Sequence, residues 1–154
     1  MVVEWNTNTS RAIWSVINAG PRTGQPSKSM ATKYPDIRFI WSHAGGSLLG
    51  LAGRFVGYEL MLEAEGKKPE ENSRLYHLRR FYYDTAGSFN RVQMPALKAL
   101  AGVSQIVFGS DFPFIEPAAV VKGLSTCGFS ADDLRAIDSG NALKLLPKWA
   151  PAKK

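Results

Sequence analysis

Short apolar runs alternate with amphipathic stretches along this chain. Three runs, at residues 37–41, 81–83 and 106–108, have the length and composition of buried parallel strands. Between the first two, apolar residues recur at spacings of three and four over residues 48–62, which predicts one continuous helix with a single apolar face. The members of that face are Leu48, Leu51, Phe55, Tyr58 and Leu62. This alternation of helix and strand is typical of a parallel α/β fold.

Residues that cap or break helices indicate where further predicted helices and loops begin and end. A helix is predicted after Ser10, a loop over residues 20–33, and a short helix over residues 73–78. Pro95 can occupy the first turn of a helix that Gly102 would end. A last helical region begins at a capping-box pattern, is interrupted near a glycine and is stopped by a proline. These three residues are Ser130, Gly140 and Pro147.

Three strands are too few to close a barrel, which needs eight. The sheet is therefore either small and open or part of a barrel. In either case the first and third strands would each expose a row of unpaired backbone groups, and such edges invite association. The pattern thus predicts a dimer, a larger assembly or an aggregation-prone chain, and not a stable monomer.

Composition and charge limit which kinds of partner and which cellular locations are expected. The chain has 154 residues and a formal net charge of +6, but its basic residues form only scattered pairs, so we expect no nucleic-acid partner. The single cysteine, Cys127, has no motif around it and is predicted to be a buried structural thiol. The sequence begins without a signal-peptide pattern and contains no apolar run of membrane-spanning length. We expect a cytoplasmic protein that does not enter membranes.

Polar residues follow each predicted strand, where parallel α/β folds place their sites. His43 follows the first strand and could be a metal ligand, a general acid/base or a structural histidine. Asp111 follows the third strand, where capping of the next helix is the simpler role and metal binding the alternative. Asp84 could belong to a turn, and His77 is predicted to be a surface residue of a helix.

Taken together, these segments resemble consecutive parts of one enzyme family. Residues 34–46, which end in Ser-His-Ala-Gly-Gly, resemble the sixth strand of the decarboxylase-like amidohydrolases. Residues 81–87 and 106–114 resemble the seventh and eighth strands, in the right order. Residues 9–13 and 141–147 resemble flanking helices of the same group, which includes aminocarboxymuconate semialdehyde, methylsalicylate and hydroxybenzoate decarboxylases.

The resemblance implies a fold, a reaction class and two site residues. The fold would be a partial TIM (β/α)8 barrel, about strands 6 to 8 with flanking helices, over residues 1–147, followed by a tail over 148–154. His43 matches the family's catalytic histidine and Asp111 its metal-ligating aspartate. The ion would be zinc or manganese, with zinc favoured. The substrate would be a small carboxylated ring compound that is decarboxylated or hydrolysed, and no substrate-binding residue is identified.

The chain also departs from the family pattern. It has only two histidines, and neither precedes residue 43, so the histidines of the family's first and fifth strands would lie before Met1. Because a catalytic zinc usually has three protein ligands, we expect weak activity or none from the chain alone. A complementing N-terminal half or a homo-oligomer would supply the rest. The alternative is a non-catalytic half-barrel with a structural or assembly role.

Overall fold

One small parallel sheet organises the molecule. The computed structural model describes residues 2–5 and 30–150, and the strands there follow the order β1–β2–β3–β4, each parallel to its neighbour. They are β1 (Val2–Trp5), β2 (Arg38–Trp41), β3 (Tyr82–Asp84) and β4 (Ile106–Val107). All three predicted strands are confirmed. The prediction missed β1, because four residues at the start of the chain carry too short a pattern to separate strand from coil.

Helices fill the connections between the strands. They are α1 (Met30–Lys33), α2 (Leu48–Phe55), α3 (Gly57–Ala64), α4 (Arg74–Leu78), α5 (Gln93–Ala101), α6 (Pro117–Leu124), α7 (Ala131–Arg135) and α8 (Asn141–Leu145). A π-helical turn, Ala136–Gly140, joins α7 to α8 at the predicted interruption. In the described part of the chain, no helix has both the length and the apolar character needed to cross a bilayer.

Two predicted boundaries are wrong. The single helix over residues 48–62 breaks into α2 and α3 at Val56, whose φ of −132° lies outside the helical region and whose side chain is buried. The break turns Tyr58 outward, so the predicted apolar face is not continuous. The last four residues of the loop predicted over 20–33 form α1. The helix predicted after Ser10 lies outside the described residues.

The predicted caps Gly102 and Ser130 are confirmed, and Ser73 is a further cap that the sequence did not predict. Gly102 is the C-cap of α5, and the Ser73 hydroxyl accepts a hydrogen bond from the Tyr76 amide at the start of α4. Ser130 and Asp133 form a reciprocal capping box at the start of α7. The α4 terminus gains a further acceptor from α3, because the Glu59 carboxylate accepts hydrogen bonds from the first two backbone amides of α4.

The core lies on one face of the sheet. The rings of Phe39 and Trp41 stack, and Phe81 packs edge-on against both. Side chains alternate between the two faces of a strand, so Ile40 and Tyr82 point the other way. Both are only half-buried. The described helices therefore cover one face of the sheet and leave the other partly open.

The sheet edges differ from the prediction. The outer edge of β2 is paired with β1 in a four-residue register from Val2 to Trp5. On the far side of β4, the Ile106 carbonyl accepts a hydrogen bond from Asn141 Nδ2, and the Phe108 amide donates to the Ile137 carbonyl. The expectation that the first and third predicted strands expose rows of unpaired groups is therefore wrong at these positions, because β1 and the C-terminal helical segment satisfy them.

His77 is buried, so the prediction that it lies on the surface is wrong. His77 is 2% exposed on α4, and its Nε2 lies 3.1 Å from the hydroxyl oxygen of Thr32. The surface prediction failed because it rested on the polar character of the side chain and took no account of α1, which supplies a partner. Burial, together with the charge of Arg80, lowers the pKa of the His77 imidazole. Cys127 is buried, as predicted.

Candidate active site

A cavity of about 330 Å³ opens at the carboxyl ends of β2, β3 and β4. The residues that follow these strands line it: Ser42, His43, Asp84, Ala86, Gly109, Ser110, Asp111 and Phe112. The structure thus brings together both residues predicted for the site, His43 and Asp111. It adds Asp84, which the sequence offered only as a weaker candidate whose segment could simply be a turn.

The backbone around His43 is unusual for residues with side chains. His43 and Ala44 have φ values of 53° and 54°, in the left-handed region that L-residues rarely adopt. Gly45 and Gly46 continue the run with φ values of 80° and 62°. Strained backbone of this kind persists only where surrounding contacts hold it, and it is concentrated at functional sites.

A hydrogen bond determines which ring nitrogen of His43 carries the hydrogen. Its Nδ1 lies 3.1 Å from the carbonyl oxygen of Ala86. A carbonyl only accepts hydrogen bonds, so Nδ1 carries the hydrogen. Among the described residues Nε2 has no hydrogen-bond partner, which leaves it as the nitrogen that can gain or lose a proton. A Cβ at Gly87 would lie 2.9 Å from Nδ1, so glycine is required for this approach.

Asp84 ends β3 as a buried carboxylate, 8% exposed. Its Oδ1 accepts hydrogen bonds from the backbone amides of His43, at 2.8 Å, and Ala86, at 3.1 Å. The interpretation of Asp84 as part of a simple turn is therefore wrong, because its side chain binds the loop that follows a neighbouring strand. The only sequence signal for this role of Asp84 was its position at the end of an apolar run.

Asp111 lies in a turn beyond β4, with a left-handed φ of 65°. Its backbone carbonyl accepts hydrogen bonds from the amides of Phe114 and Ile115. It does not cap the next helix, because α6 begins six residues later with Glu116 at its N-cap. The simpler role considered for this residue is thus excluded. Within the described part of the chain, the Asp111 carboxylate has no hydrogen-bond or ion-pair partner.

The number of possible metal ligands near the cavity limits how well the described residues can bind an ion by themselves. In residues 2–5 and 30–150, no group of three or more His, Cys, Asp or Glu side chains is arranged to bind an ion. A catalytic site usually needs three protein ligands. The described residues therefore do not fit a complete metal site, although Asp111 presents a carboxylate oxygen suited to a divalent cation.

The family follows from a match over most of the chain. Residues 27–148 match the amidohydrolase family. The chain belongs to this family. The match includes all three strand ends that form the cavity and confirms the resemblance carried by the sequence motifs.

Two fungal decarboxylases are similar in sequence to this chain. The chain is 35% identical over 135 residues to a 6-methylsalicylic acid decarboxylase of Penicillium expansum, a match covering 82% of the chain and 41% of the relative. It is 32% identical over 146 residues to the 6-methylsalicylic acid decarboxylase of Aspergillus aculeatus, covering 85% and 43% respectively. The chain thus spans about two fifths of the length of these relatives.

Solved structures agree on the fold. A dihydroxybenzoic acid decarboxylase of Polaromonas, with bound manganese and 2-nitroresorcinol, superposes with a TM-score of 0.67 at 21% identity, covering 93% of this chain and 40% of that one. The 5-carboxyvanillate decarboxylase of Sphingomonas paucimobilis gives a TM-score of 0.65 at 18% identity, covering 92% and 39%. The mixed α/β arrangement around a small parallel sheet is thus shared with these enzymes.

Proposed function

We propose that this chain forms one wall of the active site of a metal-dependent decarboxylase for small carboxylated aromatic rings. The observation that carries the proposal is the His43 imidazole, fixed at Nδ1 by Ala86, in a cavity shared with the Asp111 carboxylate. The residues that the structure describes supply no partner to His43 Nε2 or to this carboxylate. The named relatives, which act on 6-methylsalicylic acid, support the substrate class.

His43 is the proton donor in this proposal. Nonoxidative decarboxylation breaks the bond between a ring carbon and its carboxylate carbon, CO2 leaves, and the ring carbon takes a proton in its place. The protonated imidazole can give that proton from Nε2 while the hydrogen bond from Nδ1 to the Ala86 carbonyl keeps the ring in place. The same nitrogen regains a proton from solvent before the next turnover.

Asp111 is proposed as one ligand of a divalent ion. A carboxylate at a strand mouth is a suitable ligand for a hard cation, and the manganese in the Polaromonas enzyme supports this class of ion. The remaining ligands would come from outside the described residues. When bound, the ion would supply positive charge to orient the substrate's carboxylate and neighbouring oxygen.

The sheet is proposed to be a segment of a barrel. The half-buried side chains of Ile40 and Tyr82 lie on the face that the described helices leave open, which is the face that a barrel would turn inward. Further strands, from another part of a longer protein or from a second chain, would cover it. A homo-oligomer and a complementing half are the two arrangements that meet this need.

The test is CO2 release by the 154-residue chain. The purified chain is incubated with Mn²⁺ and, in turn, 6-methylsalicylate and 2,6-dihydroxybenzoate, and both CO2 and the ring product are measured. We expect slow release that requires Mn²⁺ and is abolished in His43→Gln but not in His77→Gln. Because the remaining ion ligands would come from outside the described residues, the absence of CO2 would contradict the proposal for this chain where Mn²⁺ is bound, and would then favour the structural role. Release that survives His43→Gln would contradict the role of His43.

A further inference from the structure

We propose that Asp84 is a positioning residue for His43. Its carboxylate accepts hydrogen bonds from the backbone amides of His43 and Ala86, and so holds the left-handed turn at His43 and the Ala86 carbonyl in place. Together, the turn and the carbonyl orient the imidazole with its hydrogen on Nδ1 and leave Nε2 for proton transfer. This inference rests on the proposed role of His43 and adds the residue that prepares that histidine for proton transfer. Neither the family match nor the named relatives assign a role to Asp84.

The first part of the argument is that one oxygen atom binds both ends of the arrangement. Asp84 Oδ1 accepts from the His43 amide at 2.8 Å and from the Ala86 amide at 3.1 Å. The Ala86 carbonyl in turn accepts from the His43 ring at Nδ1. The carboxylate therefore fixes the backbone that carries the ring and the residue to which the ring is bound.

The second part is the cost of the conformation. A left-handed φ is unfavourable for residues with side chains such as His43 and Ala44. Hydrogen bonds to a charged, largely buried acceptor are stronger than those between neutral groups and offset this cost. An amide side chain at position 84 keeps one acceptor oxygen but loses the charge, so it should hold the turn less firmly.

The third part is the fit around the carboxylate. A Cβ at Gly109 would lie 3.0 Å from Asp84 Cβ, and a Cβ at Gly87 would approach the His43 ring just as closely. Glycine backbone thus approaches each residue closely on one side, which limits movement of the side chain in that direction. A free histidine side chain in water favours the tautomer with hydrogen on Nε2, so the opposite tautomer of His43 reports the arrangement directly.

Nitrogen NMR of the full chain tests the proposal without any turnover. The chain has two histidines, so ¹⁵N-labelled rings give two sets of signals, and His77 serves as an internal reference. At a pH where both rings are neutral, the wild-type spectrum should show His43 with hydrogen on Nδ1. In Asp84→Asn the His43 signals should move toward the Nε2–H form or an average of the two, while the His77 signals stay unchanged. Asp138→Asn, which removes an exposed carboxylate, is the matched control and should leave both rings unchanged.

The outcomes separate this inference from the proposed function. A wild-type His43 with hydrogen on Nε2 would overturn it, even if the Asp84 variant failed to fold. Unchanged His43 signals in a folded Asp84→Asn would also overturn it. In a preparation that releases CO2, Asp84→Asn should lower kcat roughly tenfold or more with a smaller effect on KM. If no preparation releases CO2 while the tautomer shifts as expected, the proposed function fails and the positioning role of Asp84 stands.

Discussion

The Thr85 hydroxyl exchanges two hydrogen bonds with the backbone of Gly109. It donates to the Gly109 carbonyl at 2.9 Å and accepts from the Gly109 amide at 3.1 Å. This pair continues the β3–β4 ladder beyond the last residues of the strands, with a side chain in place of a backbone group. It joins the ends of two strands whose next residues line the candidate site.

Thr85→Val should therefore destabilise the fold although it hardly changes side-chain size. Both hydrogen bonds are lost, and polar groups of Gly109 are left unpaired beside a fully buried side chain. We expect the free energy of unfolding to fall by about 1–3 kcal/mol, measured by urea denaturation. Thr85→Ser keeps the hydroxyl and is the control. An unfolding free energy of Thr85→Val equal to that of the wild type would contradict a stabilising role for the two hydrogen bonds.

Two helical glycines should respond in opposite directions to alanine. A Cβ at Gly123 in α6 would lie 2.7 Å from the backbone oxygen of Phe89, whereas a Cβ at Gly53 in α2 would meet nothing within 4 Å. Alanine is the better helix former by about 1 kcal/mol. We expect Gly53→Ala to raise the melting temperature and Gly123→Ala to lower it, because overpacking costs about 1–3 kcal/mol. A higher melting temperature in both variants would contradict the close packing of α6 on Phe89.

The stability of the fold should fall at mildly acidic pH because of His77. Burial lowers the pKa of this imidazole in the folded chain, and nearby Arg80 lowers it further. Below the ordinary value near 6.5, the unfolded chain therefore binds a proton that the folded chain does not. The free energy of unfolding should then decrease as the pH falls from 7 toward 5, with a contribution from His77 of at most about 1.4 kcal/mol per pH unit.

The variant His77→Gln isolates this effect. The difference between its unfolding free energy and that of the wild type should change over the same pH interval, whereas His43→Gln should leave the His77 contribution in place. A difference that is constant between pH 5 and pH 7 would show that His77 does not titrate differently in the folded and unfolded chains.

The sequence predicted the strands better than the contacts between them. The runs before His43, Asp84 and Asp111 were visible because buried parallel strands are apolar and end in polar residues. The role of Asp84 was not visible, because it depends on hydrogen bonds to a loop 41 residues away. The break at Val56 was missed for a related reason. A local pattern gives the spacing of apolar residues and does not show which of them the tertiary structure buries.

Metal binding provides the last prediction, and it follows from the number of donors. Asp111 presents a carboxylate to the cavity, and the described residues include no group of three ligands. The 154-residue chain, loaded with Mn²⁺ and dialysed against metal-free buffer, should retain well under one ion per chain by elemental analysis. Weak binding before dialysis, followed by the effect of Mn²⁺ on water proton relaxation, should disappear in Asp111→Ala and persist in Asp138→Asn. One tightly held ion per wild-type chain would contradict this prediction. It would place the missing ligands in an assembly of several chains, because residues 6–29 and 151–154 contain no His, Cys, Asp or Glu side chain. Light scattering of the loaded protein would test this.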